Sequence, residues 1–216
     1  MKQLVVYDLD GTLVDTLEDI AQSANHMLAA LGLAPVSARQ IRQYVGRGVY
    51  ELVKRCLSAE DAKQIDGGLR IYRAHYGAHL LDHSRLYPGA RELLDYFKSR
   101  TQAVITNKPN PYSREILHGL GVAGYFVDII GGDSMYPRKP DPSALLALMA
   151  GCGVRAVDTL LIGDSPVDVE TGKSAGVLTV AIAHGLADEE ELMSAAPDQL
   201  VRNFDELLTL AKQRGW

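Results

Sequence analysis

The sequence predicts an α/β fold: a parallel sheet flanked on both faces by helices, with an all-helical segment inserted after the first strand. Three observations point there. Leu4-Val5-Val6-Tyr7 is a short unbroken apolar run, as expected of a strand buried on both faces of a parallel sheet. From residue 86 onward, helical patterns alternate with further short apolar runs, and such alternation builds a parallel sheet wrapped by helices. Between these regions, residues 17–83 hold helical spacing and no convincing strand.

Taken in order, the first strand runs straight into Asp8 and Asp10, with Gly11 directly after. Strand pleat sets alternate residues on one side, so both carboxylates are expected to face one pocket at the strand's carboxyl end. Open α/β sheets bind ligands at that end, and Gly11 lets backbone approach a ligand closely. An ordinary acidic turn would use the same residue types.

Thr16 with Asp19 has the spacing of a capping box. Ile20, Ala24, Met27, Leu28 and Leu31 follow at helical spacing, with Gly32 as the stop. Ser37 with Gln40 reads as a second box, opening a short helix through Tyr44. Gly46-Arg47-Gly48 interrupts it before Val49, Leu52, Val53, Cys56 and Leu57 resume helical spacing. Ser58 with Asp61 then reads as the cap of a more polar helix running towards Leu81.

Tyr87-Pro88-Gly89 is a loop signal that marks the return to the sheet. Helices are expected over 90–98, 112–120, 143–150, 167–175 and 204–213, and strands over 102–106, 127–130, 159–162, 178–182 and 199–201.

Composition narrows the setting. The 216 residues are 47% hydrophobic and 23% charged, enough for a real core. A net charge of −5 argues against a nucleic-acid partner, which would call for a basic face. Cys56 and Cys152 form neither a CxxC pair nor a disulfide framework. The longest apolar stretches, such as 145–153, are far too short to span a membrane. The first strand begins at the N-terminus, leaving no signal peptide, so the expected location is the reducing cytoplasm. Oligomeric state is not legible in the sequence.

Four polar clusters sit at strand ends. The first is Asp8 with Asp10. The second is Thr106-Asn107-Lys108, where a hydroxyl and an amide can donate to an anionic oxygen, although both are also common turn residues. The third is Lys139-Pro140, whose ammonium can meet an anion or simply be solvated. The fourth is Gly163-Asp164-Ser165 with Asp168 four residues beyond Asp164, about one helical turn, so that both carboxylates can approach one point. Clustered carboxylates need a cation. Oxygen donors without His or Cys favour Mg²⁺ over zinc. A cation beside a lysine and a hydroxyl suits a polyoxygen anion, and phosphate is the natural candidate.

Asp8-Leu9-Asp10-Gly11-Thr12, Thr106-Asn107, Lys139-Pro140 and Gly163-Asp164-Ser165 with Asp168 together closely resemble the motifs of the haloacid dehalogenase superfamily, in its order and spacing, from the first strand to about Gly185. The resemblance implies a Rossmann-like core over 1–16 and 86–216 and a helical cap over 17–85. It implies that Asp8 attacks phosphorus to give an aspartyl-phosphate and that Asp10 acts as acid and then base. Lys139 would bridge Asp8 and the phosphoryl oxygens. Mg²⁺ would sit on Asp8, the Asp10 carbonyl and Asp164, with Asp168 supporting them. Thr106, the Asn107 backbone and the Gly11 region would bind the phosphoryl oxygens. An acid at position 10 separates this chain from members that cleave carbon–halogen or carbon–phosphorus bonds.

The wider sequence is most similar to phosphoglycolate phosphatases, through Val45-Gly46-Arg47-Gly48, Leu86-Tyr87-Pro88-Gly89, Ile105-Thr106-Asn107-Lys108-Pro109 and Ile130-Gly131-Gly132-Asp133. The expectation is therefore a Mg²⁺-dependent phosphatase for a small phosphorylated metabolite, 2-phosphoglycolate. Arg47 would fork to the substrate carboxylate, or else lie solvated in a helix break. A phosphosugar mutase, a pyrophosphatase, a nucleotidase and a non-catalytic regulator are the rivals. Tyr7, where the family more often has Phe, and Thr171-Gly172, in place of more usual small residues, are departures that touch packing only. His75, His79 and His83 recur every four residues, as a metal stripe or, more simply, a wet helix face, and His184 is expected near the rim of the site.

Overall fold

The computed structural model describes residues 2–58 and 61–216. Among them, six strands form one parallel sheet: β1 (Leu4–Tyr7), β4 (Thr101–Ile105), β5 (Asp128–Ile130), β6 (Thr159–Gly163), β7 (Leu178–Ile182) and β8 (Gln199–Val201), in the spatial order β5-β4-β1-β6-β7-β8. Both faces are buried, as apolar strands with no polar face require. Leu4, Val6, Ala103, Ile105 and Leu161 pack on one side against α7 (Ser143–Cys152) through Leu145, Leu148 and Met149. Val5, Tyr7, Val104, Leu160 and Ile162 face the other side with α5 (Ala90–Tyr96), α6 (Asn110–Gly119) and α10 (Phe204–Arg214). The pleat assigns odd and even residues of β1 to opposite layers.

Among the described residues, the segment expected to be helical holds four helices and no strand. α1 (Leu17–Ala30), α2 (Ala38–Arg42), α3 (Val49–Leu57) and α4 (Ala62–Ala78) share a core of Ile20, Ala24, Met27, Leu52, Val53, Ile65, Leu69, Tyr72 and Tyr76. Ser37 and Gln40 do form a capping box. Two other caps differ. Thr16 makes no cap hydrogen bond, and Asp19 instead accepts from the backbone and side chains of His83 and Ser84. Asp61 caps α4 by itself through Lys63 N–H, while Ser58 ends α3 in a left-handed conformation. α4 also stops at Ala78 rather than reaching Leu81.

Three short elements escape sequence reading. β2 (Val14–Asp15) and β3 (Arg85–Leu86) pair antiparallel where the helical segment leaves and rejoins the sheet. Two-residue strands carry no periodicity to detect. α9 (Glu189–Ser194), opened by an Asp188–Glu191 capping box, is the third. The two departures from the family pattern are absorbed by packing. The buried Tyr7 hydroxyl donates to Gln102 Oε1 at 2.8 Å, and Gln102 in turn donates to Leu94 O. Thr171 bonds back to Val167 O within α8 (Pro166–Ala175). Among the described residues, no helix is long and apolar enough to cross a membrane.

Candidate active site

Strand order decides which polar strand ends meet. The chain leaves β1 towards β4 and β5 on one side and towards β6, β7 and β8 on the other. An open sheet leaves a crevice at such a reversal, outside the strand carboxyl ends. Tyr7 is in register with both Val104 and Ile162, so Asp8 follows level with Ile105 and Gly163, and Thr106 and Asp164 emerge one residue further on. Asp8 also continues the Leu4–Val6 face, the side on which Lys139 precedes α7 and Asp168 rides on α8.

There Lys139 Nζ lies 2.9 Å from Asp8 Oδ1 and 2.5 Å from Asp168 Oδ1. The other Asp168 oxygen accepts from Ser165 Oγ and N, so one carboxylate both caps α8 and holds the lysine. Asp164 accepts from Thr12 Oγ1 and from Leu186 N–H, each at 2.7 Å. Gly11, at φ +84°, and Gly185 both press against it: a Cβ on either would fall 2.2 Å from the Asp164 side chain. Gly11 thus supplies room, while its own N–H is donated to Val14 O.

Asp10 occupies a separate arm. Lys108 Nζ reaches its two oxygens at 2.8 and 3.0 Å, and Thr16 Oγ1 donates to Oδ1 at 2.6 Å. Thr106 Oγ1 accepts from Lys108 N–H, which leaves its own hydrogen free to donate. Both N–H groups of the Asn107 amide are taken, by Gly46 O and Lys139 O, so its side chain ties the 46–48 loop to the site rather than donating into it.

Two cavities open on Asp8 and Asp10. The inner is lined by Ile20, Val45, Val49, Leu52, Tyr72, Tyr76 and Lys108, and the outer by Arg39, Arg47, Asp164 and Ser165 among others. Arg47 is exposed at the outer mouth.

A family model for haloacid dehalogenase-like hydrolases matches residues 5–182. The chain belongs to that family. It is 40% identical over 199 residues to the phosphoglycolate phosphatase of Rhodospirillum rubrum, covering 88% of this chain and 83% of that protein. It is 36% identical to the phosphoglycolate phosphatase of Vibrio parahaemolyticus, covering 95% and 94%. A crystal structure from Haemophilus somnus, described as a predicted phosphoglycolate phosphatase, superposes with a TM-score of 0.92 at 29% identity over 97% of this chain and 98% of that one.

In this haloacid dehalogenase-like hydrolase, the electrostatics favour a bound cation. Three buried carboxylates, Asp8, Asp164 and Asp168, offer oxygens within 4.8 Å of one another, and a single buried ammonium, Lys139, answers them. Burial pushes Asp8 up to about 6 even though Lys139 pulls the other way, and Asp168 adds to the rise. Burial, with Asp8 and Asp168, likewise lifts Asp164 well above the usual carboxylate range. Burial opposes the charge on Lys139, yet Asp168 and Asp8 outweigh it and hold the ammonium protonated. An all-oxygen, net negative, buried donor set fits a hard divalent ion such as Mg²⁺.

The histidine stripe of this hydrolase does not form one helical face. His75 is stacked between His26 and His79, whereas His83 lies beyond the end of α4 and bonds Asp19. Among the described residues, the acidic trio is the one group with metal-like spacing. His184 packs between Tyr87 and Phe204 and bonds Thr12 O, behind the loop that follows β1.

Sequence reading missed four residues that matter. Thr12 lies in the first motif with no role of its own there, and Thr16 reads as a helix cap. Lys108 sits inside the second motif with nothing local to pair it with Asp10. Arg42 donates to the carbonyls of Leu186 (2.6 Å) and Gly185 (2.8 Å), tying α2 to the loop that holds Asp164. No sequence signal foretells contacts across that separation.

Proposed function

We propose that this chain is a cytoplasmic phosphatase that hydrolyses a small phosphomonoester, 2-phosphoglycolate, through an aspartyl-phosphate on Asp8. The observation that carries it is Asp8 paired to Lys139 at the sheet's reversal point, with Asp10 two residues on. The shared naming of the Rhodospirillum and Vibrio relatives supports the substrate. Mg²⁺, held by Asp8, the Asp10 carbonyl and Asp164 with Asp168 in support, would screen the anionic nucleophile from the anionic phosphate and stabilise charge on the transferring group.

The chain's own groups do the rest. An Asp8 oxygen attacks phosphorus and the ester P–O bond breaks. Asp10 gives the departing oxygen a proton, then takes one from the water that cleaves the acyl-phosphate. Lys139 steadies Asp8 and the phosphoryl oxygens, and Thr106 donates its free hydroxyl hydrogen to them. Asn107 lines the approach, with its backbone as donor, and Gly11 leaves the room that Asp164 needs beside it. Arg47 at the mouth draws anionic esters inward.

Residues 17–85 act as the cap and 1–16 with 86–216 as the core, hinged at the β2–β3 pair, and Val45, Val49 and Leu52 shield the nucleophile from bulk water. Neither nucleic acid nor membrane is a partner in this scheme. Free phosphate released from a panel of esters, with and without Mg²⁺, tests it. Rapid release from 2-phosphoglycolate that needs Mg²⁺ is expected. Release only in the presence of a sugar bisphosphate would instead make the protein a mutase, and no release from any ester would remove the proposal.

A further inference from the structure

The inner cavity holds one cation in its lining, Lys108, and that cation faces Asp10 rather than open solvent. Lys108 is 8% exposed. Its ammonium engages both Asp10 oxygens and lies 4.8 Å above the Tyr76 ring. An Asp10 held in this way cannot turn to the oxygen of a departing alcohol until it lets go. A buried ammonium does not release its partner without a replacement, because an unpaired charge in a dry site is strongly unfavourable.

The cavity is small, about 50 Å³, with apolar walls at Ile20, Val49 and Leu52, so it suits a leaving group of only a few atoms. The Tyr76 ring lines the same cavity beneath that ammonium, and its hydroxyl is buried with no hydrogen-bond partner among the described residues. A buried ammonium in an apolar-walled cavity is a site for a carboxylate.

We propose that Lys108 is the specificity-determining residue. A small carboxylate on the leaving group takes the place of Asp10 on Lys108, and Asp10, still steadied by the Thr16 hydroxyl, is released from the ammonium to serve the reaction. Esters with neutral leaving groups leave Asp10 held. This deepens the phosphatase proposal and rests on it: it assigns the leaving-group anion to Lys108, inside the inner cavity, and gives Arg47 only the entrance.

The test compares 2-phosphoglycolate with 2-hydroxyethyl phosphate, a neutral analogue of the same length, in the Mg²⁺-loaded enzyme. The wild type is expected to prefer the carboxylate ester by about 100-fold or more in kcat/KM. In Lys108→Met that ratio should fall to within about tenfold. An equal loss on both esters would reduce Lys108 to a structural support for Asp10 and overturn the inference, as would a ratio that collapses in Arg47→Ala but survives in Lys108→Met. If Lys108→Met does not fold, inhibition of the wild type decides. Free glycolate should inhibit hydrolysis of the neutral ester where ethylene glycol does not, and equal inhibition by the two would overturn the proposal. A wild type inactive on both esters would remove the phosphatase reading itself, an outcome distinct from activity without preference.

Discussion

Thr12 and Asp164 are 152 residues apart in the chain, yet the Thr12 hydroxyl donates to Asp164 Oδ1 at 2.7 Å. The bond aims one oxygen of the carboxylate while Leu186 N–H aims the other. Groups that orient metal ligands typically change metal affinity by about 10–100-fold when removed. Thr12→Val, which keeps the shape and deletes the donor, should therefore raise the Mg²⁺ concentration for half-maximal phosphatase activity by about that factor, with a smaller change in maximal rate. A titration of activity against Mg²⁺ measures both.

On the proposed mechanism no neighbouring group can take over the attack on phosphorus, so Asp8→Asn should lower kcat by about 10⁴-fold or more. The variant should fold, since an amide removes one of three crowded buried carboxylates. Phosphate release together with circular dichroism checks the two halves of this expectation.

Asp19 joins α1 to the segment just ahead of β3. Its carboxyl is buried, which favours protonation, but hydrogen bonds from Ser84 and His83 outweigh burial and hold it below the usual range. The Asp19 bond raises His83 above the ordinary imidazole value despite slight desolvation. A depressed acid stabilises above its unfolded value and loses that contribution as pH falls through its folded value. A raised histidine stabilises below its unfolded value and loses it as pH rises through the folded one. The pair should thus contribute most between about pH 4 and 6.5. The Tm difference between wild type and His83→Gln should peak in that window and shrink on either side. Asp19→Ala, which also leaves the Ser84 N–H without its acceptor, should cost about 2 kcal/mol in urea unfolding at pH 6.

Tyr7 and Gln102 form a buried polar pair between β1 and β4. Tyr7→Phe leaves Gln102 Oε1 without its donor and should cost about 1–2 kcal/mol. Tyr7→Phe combined with Gln102→Leu removes the orphaned Oε1 but also takes the amide donor from Leu94 O, so it should recover only part of that loss. Denaturant midpoints for the two variants measure the coupling.

Much of this molecule is legible from local patterns. The runs at 4–7, 178–182 and 199–201 coincide with β1, β7 and β8, because apolar strands buried on both faces write themselves as short unbroken hydrophobic segments. Capping signals are less dependable, and Thr16 and Asp19 show why. Their local partners, the first N–H groups of α1, compete with Asp10 and with Ser84 and His83, and the tertiary partners win.

The sequence alone determined the class of fold, the place of the helical insertion and the four polar clusters, since each is a property of neighbouring residues along the chain. Three of those clusters lie at strand ends, whereas Lys139 sits in the loop between β5 and α7. Only the tertiary structure decided that Lys108 holds Asp10, that Thr12 and Leu186 aim Asp164, and that Arg42 clasps the loop behind it. Those pairings follow from strand order and register, and a side chain's type and spacing carry no information about which distant segment will be folded against it.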